Sequence, residues 1–235
     1  MRDAIWSRVG PASGLGFFVL LMLGVTIHGY PEIRPTDSQL ANWLANVDVN
    51  TFMAGIYIEA IGILLFIPFA AWLFGRLRQG NRDSTMPAIT MLAAGAGWAA
   101  FTLSVLGGWA GLANQARREL DIHSAQTFDS INQTSYDLTN LVFGVTLLAA
   151  GGAIVRGGAM SRWAGWAAVV IGVVYLVSTP FGIGASPAGL LGYLWILSVA
   201  GYYTVRPGIV RRVEPGDAIP SSNRRETALT MEINK

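Results

Sequence analysis

Residues 52–74 read FMAGIYIEAIGILLFIPFAAWLF, an apolar run interrupted by one charge, Glu59. A helix of ~20 apolar residues crosses a hydrocarbon core of roughly 30 Å, and this run is long enough. Backbone groups in lipid must bond within their own segment, so a continuous run of this kind is a helix and not a barrel strand. Five more apolar segments follow the same pattern, at residues 14–30, 87–112, 138–155, 163–183 and 187–205. The expected fold is all-α, a polytopic six-helix transmembrane bundle over residues 14–205. Residues 1–13 precede it. Residues 206–235 are polar and aperiodic, with Pro215, Pro220, Ser221 and Ser222, and read as a disordered tail.

Composition agrees with a membrane protein. The 235 residues are 52% hydrophobic and 13% charged, with a mean hydropathy of +0.45. A soluble domain carries about 25% charged residues, so an ordinary cytoplasmic enzyme is excluded. With no cysteine there is no disulfide, thiolate metal site or cysteine nucleophile. Two histidines, His28 and His123, are too few for a histidine-based metal site unless carboxylates complete it. P-loop, nucleophile-elbow, H-E-x-x-H and dinucleotide patterns are missing, so no metal, cofactor or nucleic-acid partner is expected. The first run lacks an A-x-A-like cleavage site before Pro31 and reads as a retained span, not a secretory signal.

Arginines set the expected orientation. Arg2 and Arg8, then Arg76, Arg78 and Arg82, then Arg156 and Arg162, and the tail place 13 of the 16 Lys and Arg on one side. Arg34, Arg117 and Arg118 fall on the other. The positive-inside rule then puts the N- and C-termini in the cytoplasm, and the chain in a bacterial plasma membrane. Trp6, Trp43, Trp72, Trp109 and Trp163 stand near span ends, where indoles favour the interface, and Pro68 predicts a kink inside the second span. Small residues four apart, among them Gly10…Gly14, Gly107…Gly111 and Ala168…Gly172, predict close helix packing within the bundle, with a homo-oligomer as the other use of such faces.

Between the first two spans, Asp37 followed by Leu40, Trp43, Leu44 and Val47 predicts a short amphipathic helix on the outer interface, an anchor or a lid. Residues 113–137 are polar, and Arg117 and Asp121 at i, i+4 suggest that the third helix projects beyond the membrane.

The functional signal is polar residues inside apolar spans. A carboxylate at the depth of Glu59 is costly unless it faces the bundle interior, a cavity or a partner. Asp48, Thr51, Gly55, Glu59 and Gly62 form one stripe at helical spacing, and Asp129, Gln133, Asp137, Asn140 and Gly144 form another. Ser104 on the third span and His28 on the first lie in the same outer half. The expectation is an outward-facing polar cavity floored by Glu59, with His28, Tyr57, Ser104, Trp109, Gln133, Tyr136 and Asn140 as candidate ligand-binding residues. Glu59 and Asp137 are the candidate catalytic pair, since a buried carboxyl has a raised pKa and serves as general acid or base.

Three motifs carry a resemblance: Asp48-x-Asn50 entering the second span, Ala71-Trp72-Leu73-Phe74-Gly75-Arg76-Leu77-Arg78 closing it, and Ser161-Arg162-Trp163-Ala164-Gly165-Trp166 opening the fifth. In these the chain resembles an uncharacterised family of six-span integral membrane proteins common in actinobacteria, over roughly residues 14–205. That family ordinarily has proline before the Arg-Trp pair, where Ser161 stands here. The resemblance implies the architecture and no activity.

Three functions fit these observations. The first is an integral membrane protein binding a small or lipid-like ligand. The second is a membrane-integral enzyme acting on an isoprenoid-like substrate, by class-level analogy to small membrane terpene cyclases. The third is a proton- or cation-coupled transporter. An enzyme predicts a cavity lined by Trp98, Phe101 and Trp109, a transporter a polar route inward past Glu59, and a non-catalytic protein a filled interior.

Overall fold

The computed structural model describes residues 2–30, 35–116, 122–179 and 187–206. Among them the chain forms seven α-helices and one 3-10 turn, with no strand. Helix α1 is Arg2–His28, α2 Asp37–Asn46, α3 Val49–Arg78, α4 Thr85–Gln115, α5 Ile122–Gly157, α6 Arg162–Ser178 and α7 Pro187–Val205. The turn Arg82–Ser84 joins α3 to α4. Arg34, Arg117, Arg118, Asp121 and the tail beyond Arg206 lie outside the described residues.

Four of these helices, α1 and α3 to α5, are long and apolar enough to cross a membrane; α6 and α7 are equally apolar but shorter. Helix α3 continues unbroken through Pro68 to Arg78. The polar stretch after residue 113 is mostly helix: α4 runs to Gln115, and α5 starts at Ile122, well before its apolar segment. Helix α2 forms where the amphipathic pattern places it, behind a capping box in which Thr36 and Gln39 satisfy each other's backbone donors. Its Leu40 is fully buried, Trp43 packs edge-on against Phe52, and Asp37 accepts from Gln126 of α5. The α2 helix thus straps the start of α3 to the N-terminal part of α5.

The six long helices close into a ring. Each packs on its chain neighbours in the order α1, α3, α4, α5, α6, α7, and α7 returns to α1. Each contributes an aromatic ring to the centre: Phe17, Phe66, Trp98, Phe143, Tyr175 and Tyr193. Trp98 lies at its hub, edge-on to Phe17 and Phe66 and 4.8 Å from the Phe143 centroid. Offset and edge-on arrays of this kind add ~0.5–1.5 kcal/mol per pair beyond their burial. The void beneath them, walled by Phe66, Phe69, Leu147 and Ile196, is about 10 Å³, too small for a substrate.

Glycine sets the closeness of α1 to α3. A Cβ on Gly10 would fall within the Trp72 side chain, and one on Gly62 would stand 3.0 Å from the Leu21 amide nitrogen. Ala168 is fully buried, and a Cβ on Gly172 would lie 2.8 Å from the Gly144 carbonyl oxygen. Backbones meet this way where small residues let dispersion drive association. By contrast Gly107 faces open space, while a Cβ on Gly111 would touch the Phe128 ring of α5 at 3.6 Å.

Candidate functional site

Glu59 is buried, at 5% exposure, on the α3 face that meets α1. Of the predicted stripe, Gly55, Glu59 and Gly62 are buried, whereas Asp48 and Thr51 at its start are exposed. Opposite it, α1 ends at His28 because Gly29 takes φ +56°, a left-handed cap that costs glycine nothing. The reversal brings Tyr30 back over the helix end. His28 Nε2 meets Glu59 Oε2 at 2.8 Å, and the Tyr30 hydroxyl donates to the same oxygen at 2.8 Å. With the carboxylate as acceptor, Nε2 carries the proton, and Nδ1 is buried without a partner among the described residues.

Aromatic rings and glycines enclose the cluster. Tyr30 stands 4.4 Å from His28 and 5.6 Å from Trp109 between centroids, and Phe52 covers the imidazole from below. A Cβ on Gly24 would lie 2.7 Å from Glu59 Cβ, and one on Gly55 2.7 Å from His28 Cβ. The Tyr30 hydroxyl points inward while the ring edge stays exposed. Burial first and the Glu59 charge second raise its pKa well above 10, so the phenol is a persistent donor.

Two grooves flank this cluster. One, of about 520 Å³, runs under α2 and is bordered by His28, Tyr30, Gln39, Asn42, Trp43 and Thr51. The His28 imidazole is itself fully covered, so Tyr30 forms the wall between groove and carboxylate. The other, of about 580 Å³, follows the outer end of α5 past Asp129, Gln133 and Asp137. Glu59 borders neither groove: it lies behind one wall instead of forming a floor.

The remaining candidates divide. Asn140 is buried on α5, and its Nδ2 has no hydrogen-bond partner among the described residues. Trp109, expected at the interface, is buried at 4% exposure. With the Asn132 amide turned to suit its neighbours, Trp109 Nε1 donates to Asn132 (3.0 Å), which donates to the Val105 carbonyl (3.2 Å). Gln133 and Asp137 line the α5 groove away from Glu59. Tyr57 is 63% exposed on the outer face of α3. Ser104 is exposed on α4 and donates to its own helix at Ala100 O, so it does not join the cluster. Of the predicted aromatic lining, Trp98 sits in the packed centre and Phe101 faces outward.

Sequence reasoning missed two residues. Tyr30 was read as the end of a span, although Gly29 before it signals a reversal. Asn132 belongs to an i, i+4, i+8 series with Tyr136 and Asn140 that runs one residue out of step with the Asp129 series. Among the described residues no three His, Cys, Asp or Glu side chains gather to hold a metal ion.

An all-α ring of apolar helices, with an acid secured inside, defines a multi-pass membrane protein. The chain matches the domain of unknown function DUF4386 over residues 13–206 and belongs to that family. No curated protein and no solved structure matches it.

Proposed function

We propose that this chain is a six-span protein of the bacterial plasma membrane, both termini in the cytoplasm, that binds a small amphipathic, lipid-like ligand in the groove beneath α2. The alternation of arginines from loop to loop supports the orientation. The observation that carries the binding reading is Glu59 itself. Inside an apolar run it is held by His28 and Tyr30, and both of those residues border the groove. Trp43, Phe52 and Tyr30 offer apolar faces there, while Gln39, Asn42 and Thr51 offer hydrogen bonds, a mixture suited to a ligand with a polar head. In this reading Glu59 acts through Tyr30, fixing the wall that the ligand meets, and residues 206–235 form a cytoplasmic tail.

The aromatic packing at the bundle centre favours binding over transport, because it leaves no polar route inward among the described residues. The same packing removes the aromatic-lined cavity that catalysis on an isoprenoid-like substrate needs. The test is native mass spectrometry of protein released from nanodiscs, comparing the wild type with Asn42→Trp, which fills the groove from an exposed position on α2. A bound molecule kept by the wild type and lost by Asn42→Trp is the expected result; retention by both refutes the site. Because the chain lacks cysteine, single cysteines at exposed Ser38 and Gln79 test the orientation by labelling from either side.

A further inference from the structure

The second groove has a different chemistry and stands apart from the ligand site beneath α2. We infer that it is a binding site for an organic dication, a linear diamine or polyamine. Asp129 lines it at 5% exposure, and its Oδ1 has no hydrogen-bond partner among the described residues. A buried carboxylate oxygen without a donor carries its full desolvation penalty, and a cationic N–H is the strongest donor that can remove it.

Geometry selects the class of cation. Asp129 and Asp137 both line the groove and are eight residues apart on one helix, about 12 Å along its axis. That separation is too long for one metal ion to bridge, and it suits ammonium groups at the two ends of a flexible chain. Between them Ser130, Gln133 and Thr134 present oxygens. The Thr134 hydroxyl donates to the Ser130 carbonyl, which leaves its lone pairs to accept from a ligand. No lysine or arginine lines the groove among the described residues, and at about 580 Å³ it falls within the size range of small-molecule sites. Gln126, at the same end, donates to Asp37 and ties α2 to the rim, adding a third carboxylate to the local field.

The experiment is calorimetric titration of the full chain, in nanodiscs of zwitterionic lipid at constant ionic strength, with spermidine, butylamine and sodium ion as probes. Saturable spermidine binding is expected, at least about tenfold tighter than butylamine, with no competition from sodium. Asp137→Asn lowers spermidine affinity about tenfold and leaves butylamine unchanged, whereas Asp129→Asn weakens both. Should Asp129→Asn fail to fold, Ser130→Trp, which blocks the groove from an exposed position, takes its place and must abolish binding. Absence of saturable spermidine binding, equal affinity in Asp137→Asn, or displacement by sodium each overturns the site.

Discussion

Replacing Gly24 by alanine tests whether the carboxylate depends on contact between the α1 and α3 backbones. The new Cβ would stand 2.7 Å from Glu59 Cβ and 2.8 Å from both the Glu59 amide nitrogen and the Gly55 carbonyl oxygen. Ordinary contact for such an atom begins near 3.4 Å, so the helices must separate by several tenths of an ångström. Two of the three obstructing atoms are backbone, and no rotamer change relieves them. Overpacking of this kind costs ~1–3 kcal/mol. The better helix propensity of alanine returns ~1 kcal/mol, so the net loss is about 0–2 kcal/mol, and the loss relative to a glycine where only propensity changes is about 1–3 kcal/mol. Gly107→Ala isolates the propensity, because nothing lies within 4 Å of its Cβ on the surface of α4. Reversible unfolding in mixed dodecylmaltoside and SDS micelles, followed by tryptophan fluorescence, gives both free energies. If Gly24→Ala unfolds at the same SDS fraction as Gly107→Ala, α1 and α3 are not in backbone contact at Glu59.

Tyr30→Phe removes one donor from Glu59 and lowers stability by about 1–2 kcal/mol in the same assay. It also alters the alkaline limb. The native phenol keeps its proton above the ordinary pKa of 10.0 while the unfolded chain loses it, so the wild type loses stability as the pH rises past about 10. The variant falls less steeply between about pH 8 and about pH 11, and identical slopes would exclude a buried Tyr30 hydroxyl. Gly29→Ala costs ~1–2 kcal/mol from its left-handed φ alone, since nothing lies within 4 Å of the added methyl group, and Gly29→Asn recovers most of it. Trp98→Ala opens the hub of the ring and costs ~3–5 kcal/mol, measured as a shift in the SDS midpoint; a cost below about 1 kcal/mol would mean that the six rings do not share one core.

Helix positions were legible wherever a long apolar run left one solution. Phe52–Phe74 lies within α3, and residues 187–205 coincide with α7. The expected interfacial helix after Thr36 was legible for a different reason. Leu40, Trp43, Leu44 and Val47 recur at helical spacing behind a capping residue, read as Asp37 where Thr36 in fact caps the helix. Ring closure was not legible. Which helices neighbour each other depends on where Gly10, Gly14 and Gly172 meet bulky partners on other segments, and the spacing of small residues is equally compatible with exposed faces such as that of Gly107.

At the site, the energetic cost of a residue decided how much its facing could be inferred. Glu59 has few arrangements open to it inside an apolar helix, so its inward stripe was readable from periodicity alone. Ser104 satisfies its hydroxyl on the Ala100 carbonyl and can face any direction, so a serine in a span carries no such information. Tyr57 is amphipathic and tolerates the exposed face at the outer end of α3. On α5, the outer part of the helix is polar on two adjacent faces. One face, through Asn132, Tyr136 and Asn140, turns inward, while the other, through Gln133 and Asp137, lines the groove. A one-residue offset is 100° on a helix, so merging the two series joined a packed interior to an open surface. The division matters because it separates two chemistries that a single polar cavity would have mixed. Glu59 Oε2 receives two donors from its own chain, whereas Asp129 Oδ1 has none among the described residues. A group already satisfied holds structure in place, and the group that still lacks a donor is where a ligand gains most by binding.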